Sequence, residues 1–165
     1  MNLHNQIHKD LVVEQRQNGQ PGKQGSFIMI QSSKEIDNTE LAANCVREID
    51  SYRRGEPTSE KYSVELLRRA IVRGEPEAWK WIEQCYNELL SNWLGCHPQW
   101  EIATKLGSKE QYVARTTKRF KQMTILNKHI ECVSIADAFR YLRVCLNGII
   151  IDRLRFYSCS KEKPS

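Results

Sequence analysis

SIADAFRYLRVCLNGIIIDRLRF, running from Ser134 to Phe156, is the stretch on which the fold turns. Its apolar residues Ile135, Phe139, Leu142, Leu146, Ile149 and Leu154 fall along one side of an α-helix. Ser134 and Asp137 have the spacing of a helix start, because a hydroxyl there can accept the N–H of the third residue on. The pattern predicts a helix that ends near Phe156. A helix with so long an apolar stripe has to be covered by other elements, so the neighbouring sequence must supply partners of matching length.

Working back from Ser134, helical signals recur. Ser108 and Gln111 have capping-box spacing and open a helix with Tyr112, Val113, Thr116, Phe120 and Met123 on one side and Lys118, Arg119 and Lys121 beside it. Pro76 suits a first helical turn, and Trp79, Ile82, Tyr86, Leu89 and Trp93 follow the helical period until Gly95 ends it. A shorter helix is predicted over 63–73, with Val64, Leu67 and Ile71 inward and Gly74 at the C-terminal cap. Another begins at Asp37, where Asp37 and Glu40 have capping-box spacing. It carries Leu41, Cys45, Ile49 and Tyr52 to a stop at Gly55-Glu56-Pro57. The stretch 96–107, with Trp100, Ile102 and Leu106, reads as either a short helix or an ordered loop. No strand alternation of convincing length follows residue 37, so the expected fold is all-α, a compact bundle of four to five helices over 37–156. Residues 1–36, rich in Gln, Asn, Gly and Ser, are expected to be a flexible N-terminal tail, and 157–165 a C-terminal tail.

The 165 residues hold 25 Lys and Arg against 20 Asp and Glu, with 40% hydrophobic residues, 8 Gly and 5 Pro. Such a balance excludes a collagenous, repeat or wholly disordered chain and leaves little room for a large cofactor-binding fold. No apolar run approaches the roughly 18 residues of a membrane helix, and residues 1–10 lack a signal-peptide core, so a cytoplasmic protein is expected. The six cysteines, 45, 85, 96, 132, 145 and 159, are widely spaced and are expected to be reduced thiols, mostly buried. Cys96 and His97 with His129 and Cys132 would make a zinc set by element type. Adjacent Cys and His side chains diverge and there is no CxxC, so no metal is expected.

Charge is unevenly divided. Residues 1–104 carry 12 basic and 15 acidic side chains, whereas 105–155 carry 11 and 4. A basic region on a mildly acidic remainder points to a polyanionic partner. No nucleophile elbow, phosphate loop, HExxH or acid–base pair occurs, so neither catalysis nor a cofactor is expected. Glu75, Glu77 and Glu110 stand where helix N-termini attract negative charge and read as structural, and Asp152 is expected to pair with Arg155. The 134–156 helix interleaves its stripe with Arg140, Tyr141, Arg143, Asn147, Arg153 and Arg155. Guanidinium for phosphate, amide for base edges and an aromatic plane for an unstacked base are the tools of nucleic-acid binding.

At these residues the chain resembles a family. Arg140, Leu142, Val144, Cys145, Asn147, Ile151, Asp152, Leu154 and Arg155 are similar to the closing helix of region 2 of bacterial sigma-70-type sigma factors, and most similar to the short alternative, extracytoplasmic-function-like members. Leu66-Leu67-Arg68-Arg69-Ala70, followed by Glu77-Ala78-Trp79 and Tyr86, looks like the opening helices, and Tyr52 through Pro57 like the segment before them in one subgroup. The resemblance spans 62–155. It implies docking on the clamp of the largest subunit of bacterial core RNA polymerase and capture of flipped bases of the −10 promoter element as a single strand. By position, the docking residues would be Gln111, Tyr112, Ala114, Arg115 and Lys118. The DNA-binding residues would be Lys118, Arg119, Lys121, Lys128, Arg140, Tyr141, Arg143, Asn147, Arg153 and Arg155. Where the family's docking helix carries an amide–acid pair, an aromatic and a Trp, this chain has Ala114, Arg115, Thr117 and Lys121. With ten residues after Arg155, a second DNA-reading region is not expected. The alternative implied is a degenerate sigma-like interaction module that binds an anti-sigma factor or polymerase without reading a promoter; a small zinc-stabilised helical domain ranks below both.

Overall fold

The computed structural model describes residues 35–127 and 130–161, and the helical unit begins at Ile36. Among the described residues there are six helices and no strand: α1 (Asn38–Arg53), α2 (Lys61–Ile71), α3 (Pro76–Gly95), α4 (Trp100–Ala103), α5 (Lys109–Leu126) and α6 (Ile135–Lys161). The all-α expectation therefore holds. The N-terminal tail, apart from Glu35 and Ile36, lies outside the described residues, as do Lys128 and His129.

The ends of α1 form for local reasons. Asp37 caps it by accepting the Thr39 N–H, and Gly55, at φ +70°, turns the chain away after Arg54. The start of α2 is different, because Glu60 ahead of it sits at φ +57° and offers no side-chain cap. Buried Glu48 on α1 substitutes: one carboxylate oxygen accepts the Ser63 N–H at 2.7 Å, the other the Tyr62 N–H and the Ser59 hydroxyl. A carboxylate against a helix N-terminus satisfies both its own charge and the orphan donors. Arg69 binds the other flank, donating to Glu65, the Ile36 carbonyl and the Asn38 side chain.

This double anchorage sets the roll of α2. Ser63, Leu66, Leu67, Arg69 and Ala70 are buried, while Val64 and Ile71 are only half-buried, which corrects the inward set read from periodicity. Because α2 lies against both α1 and α3, its covered side is centred between two neighbours, and a residue as polar as Arg69 can occupy it when its donors are taken.

Helix α3 is the central element, with Pro76 at its first position and Trp79, Ile82, Tyr86, Leu89, Leu90 and Leu94 buried. The ring of Phe139 from α6 stands edge-on to Tyr52, Tyr86 and Trp93, at 5.2, 6.2 and 5.2 Å, and joins α1, α3 and α6 in one aromatic cluster. The undecided stretch 96–107 forms the single turn α4. It is held by the Tyr112 hydroxyl, which donates to the Ala103 carbonyl at 2.9 Å, over a smaller core of Leu94, Ala103, Tyr112, Leu146 and Ile150.

The capping box at Ser108 and Gln111 is present with both of its hydrogen bonds. Thr116, Thr117 and Thr124 are buried on α5 because each hydroxyl donates to the carbonyl four residues back. Joined to α5 through residues 127–134, α6 runs back along it, so that Arg119 meets Asp152 at 2.7 Å and Arg153 reaches Leu106. Asp152 therefore pairs with Arg119, which the packing of α5 on α6 brings to it, and not with Arg155. Nor does α6 end near Phe156: it continues to Lys161, with the Ser158 and Ser160 hydroxyls bonded back to the Leu154 and Phe156 carbonyls and no Gly or Pro to stop it. The expected C-terminal tail is thus helical over 157–161. Among the described residues no helix is long and apolar enough to cross a membrane.

Candidate nucleic-acid interface

The outward side of α6 carries Arg140, Arg143, Val144, Asn147, Ile151 and Arg155 as an exposed strip. They share it because steps of three and four residues return to the same side of the helix. Their settings differ. The Arg143 guanidinium lies over the Trp93 ring, 4.5 Å from its centroid. Arg140 stacks on Tyr141 at 5.1 Å and also donates to Asp137 at 3.2 Å, so part of its charge is already answered. No partner is found for Arg155 among the described residues.

Asn147 is held by His97, a residue that the sequence offers only as one member of a zinc set. Nδ1 of His97 accepts the Gln99 N–H at 3.1 Å, which leaves its proton on Nε2 to be donated to the Asn147 side-chain oxygen at 3.2 Å. With its oxygen engaged by His97, the Asn147 amide keeps both N–H donors without a partner among the described residues. His97 uses both ring nitrogens in this way, His129 lies outside the described residues, and no group of three or more potential metal ligands gathers among those described. Trp93 and His97 are the members of the site that sequence reasoning misses. Periodicity alone places Trp93 in the core; it is half-buried, at the C-terminal end of the α3 stripe, two residues before the Gly95 that the sequence marks as the helix end.

The remaining residues expected to bind DNA scatter. Lys118 is exposed on α5, and Lys121 lies over the Trp79 ring at 5.5 Å. Arg119 is paired with Asp152, and Arg153 spends its Nε and one terminal nitrogen on the Leu106 carbonyl at 3.1 and 2.9 Å. On a helical wheel these last two contacts fall on the side of α6 roughly opposite the strip. Lys128 lies outside the described residues. The structure divides the residues between the strip, the α5 surface and a hollow between α5 and α6.

The docking residues divide too. Tyr112 is buried, its hydroxyl bonded to Ala103 and its pKa raised by desolvation, so it is a core residue and not a surface contact. Gln111 is exposed but its side-chain oxygen accepts the Ser108 N–H. Ala114 lines an open groove of about 440 Å³ between α3 and α5, with Glu83, Asn87, Ser91 and Lys109, whereas Arg115 turns the other way, toward α6.

Of the cysteines, 45 and 145 are buried, 85 and 132 half-buried, and 96 and 159 exposed; all six are free thiols. Desolvation pushes the Cys132 thiol up to about 12 and raises Cys145, which leaves these two as poor nucleophiles and poor ligands. Set against protein-family models, curated proteins and solved structures, the chain finds no match in any of the three.

Proposed function

We propose that this chain is a sigma-region-2-like DNA-binding protein acting in transcription initiation, and that the α6 strip holds a single strand of the −10 promoter element. One observation carries the reading: Arg140, Arg143 and Asn147 share one exposed side of a helix, with Trp93 and Tyr141 presenting aromatic planes against the two guanidiniums. Guanidiniums neutralise phosphates, the amide donates to base acceptors, and a guanidinium backed by a ring offers its own plane to an unpaired base. On this reading bacterial core RNA polymerase is met by the exposed α5 surface at Gln111, Ala114 and Lys118, with Ala114 at the edge of the α3–α5 groove.

A second reading has its own support, since Val144 and Ile151, 58% and 43% exposed, lie in the same strip. Apolar groups there suit a protein interface, such as one with an anti-sigma factor. The deciding experiment is capture of bacterial core RNA polymerase by the full chain at two salt concentrations, with and without a −10-type single strand. Capture of both, with strand binding that weakens steeply with salt, is expected. Strand binding absent at low salt would overturn the DNA reading, and salt-insensitive polymerase capture in its place would favour the interaction module.

A further inference from the structure

On the side of α6 away from the strip, Arg115, Arg119 and Arg153 converge on a hollow of about 290 Å³, walled by Ile149 and Phe156. Two of the three guanidiniums are already engaged, Arg119 by Asp152 at 2.7 Å and Arg153 by the Leu106 carbonyl. The third, Arg115, has no hydrogen-bond or ion-pair partner among the described residues, and Asp152 is the single carboxylate among those lining the hollow. Like charges gathered on a concave surface repel one another unless an anion joins them, and anchored forks lose little freedom when it does. Phe156, 67% exposed where α6 has left the bundle, presents an aromatic face beside these charges with no packing partner among the described residues to explain it.

We propose that this hollow is a second, separate binding site, for a phosphate that carries a flat base. A phosphate can accept from Arg115 and Arg119 together, where a carboxylate offers only two oxygens, and the adjoining Phe156 and Ile149 wall suits the planar part of a nucleotide. The same chemistry is offered by a free mononucleotide and by one unit of a nucleic-acid strand. Arg115 serves this hollow, while Ala114 on the other flank of α5 faces the groove. The assignment does not rest on the function proposed for the strip.

The test is a titration of the full chain followed by NMR at the Arg115 side-chain Nε–H and the Phe156 backbone amide. Thymidine monophosphate, inorganic phosphate and an oligothymidine without a terminal phosphate are the probes. Saturable shifts at both positions with thymidine monophosphate are expected, with Arg115→Gln and Phe156→Ala each weakening the affinity by about tenfold. Both side chains are exposed and neither has a contact the bundle depends on, so the variants should keep the parent helicity. The Arg140→Ala/Arg143→Ala protein should bind the mononucleotide unchanged, and equal loss there would overturn the separateness of the site. Inorganic phosphate binding as tightly as the nucleotide, or a silent Phe156→Ala, would overturn the nucleotide class. Saturation by the oligothymidine in the Arg140→Ala/Arg143→Ala background would assign the phosphate to a strand, and saturation by the monophosphate alone to a free nucleotide. No saturable shift with any probe removes the site.

Discussion

The strip and the hollow lie on opposite sides of one helix and are built from the same residue type, yet their arginines are held differently. On the strip, Arg143 rests on Trp93 and Arg140 on Tyr141 and Asp137, side by side along a convex surface. In the hollow, Arg119 and Arg153 are tied to an acid and a carbonyl, and Arg115 completes a concavity. Convex, aromatic-backed charge suits an extended strand read over several contacts, whereas concave charge suits one compact anion. Helix composition alone does not distinguish them. What separates them is the neighbour on each side: the end of α3 beside the strip, and α5 beside the hollow.

The strongest loss is expected from Arg140→Ala with Arg143→Ala. Single-strand binding should fall by about ten- to a hundredfold and its logarithmic salt slope by about 1 to 1.5, with helicity and the hollow untouched. Equilibrium binding over a salt series checks it. An unchanged slope would remove the strip from the DNA site and erase the contrast between the two surfaces.

Next in size is Arg153→Ala, which strips the Leu106 carbonyl of both donors. A loss of about 1–2 kcal/mol in stability is expected, read as a lower denaturant midpoint, while strand binding stays as it was. Weaker strand binding at unchanged stability would instead place Arg153 in contact with the strand, from the hollow.

Asn147→Asp replaces hydrogen-bond donation by negative charge within the strip itself. Replacing the N–H donors by a carboxylate should weaken strand binding by about tenfold, whereas the contact from His97 becomes charge-assisted and folding is not harmed. Restored binding in acid, where the new carboxyl is protonated, would support a donor role for Asn147, and full affinity in Asn147→Asp at neutral pH would sink it.

The mildest change is a control distant from both surfaces. Hydrogen bonds from Arg68 and then Arg69 hold the Glu65 carboxyl at about 2, against burial that raises it. Because the folded value lies below the unfolded one, its stabilisation is complete above roughly pH 4.3 and is lost as pH falls through about 2. With partial exposure screening the pair, Glu65→Gln should cost about 1 kcal/mol at neutral pH. That difference should vanish in acid and leave both binding surfaces alone. Unfolding titrations across this pH range measure it.

Several features of the fold were legible because their causes are local. The Ser108–Gln111 capping box, Pro76 at a first turn, Gly55 and Gly74 at positive φ, and the α3 stripe from Trp79 to Leu89 each depend on residues within a few positions. The roll of α2 was not legible, since Glu48 and Asn38 reach it from α1, far away in sequence. Tyr112 takes a docking role only from the resemblance; its place on the apolar side of α5 already puts it in the core, where its hydroxyl meets the Ala103 carbonyl. For the site, the basic, amide and aromatic residues of α6 were readable as members of one helix, but their division between strip and hollow, the backing by Trp93 and His97 and the gathering of Arg115, Arg119 and Arg153 were not.

An all-helical bundle, the starts of α3 and α5, and a basic C-terminal third follow from the order of the amino acids alone, because propensity, capping and charge act over a few residues or by simple addition. Which arginines stand together is a matter of packing. The way the helices lie assigned Asp152 to Arg119, Leu106 to Arg153 and His97 to Asn147. Such pairings join residues 33 to 50 positions apart, and they are set by how α3, α5 and α6 lie against one another, a geometry no window along the chain contains.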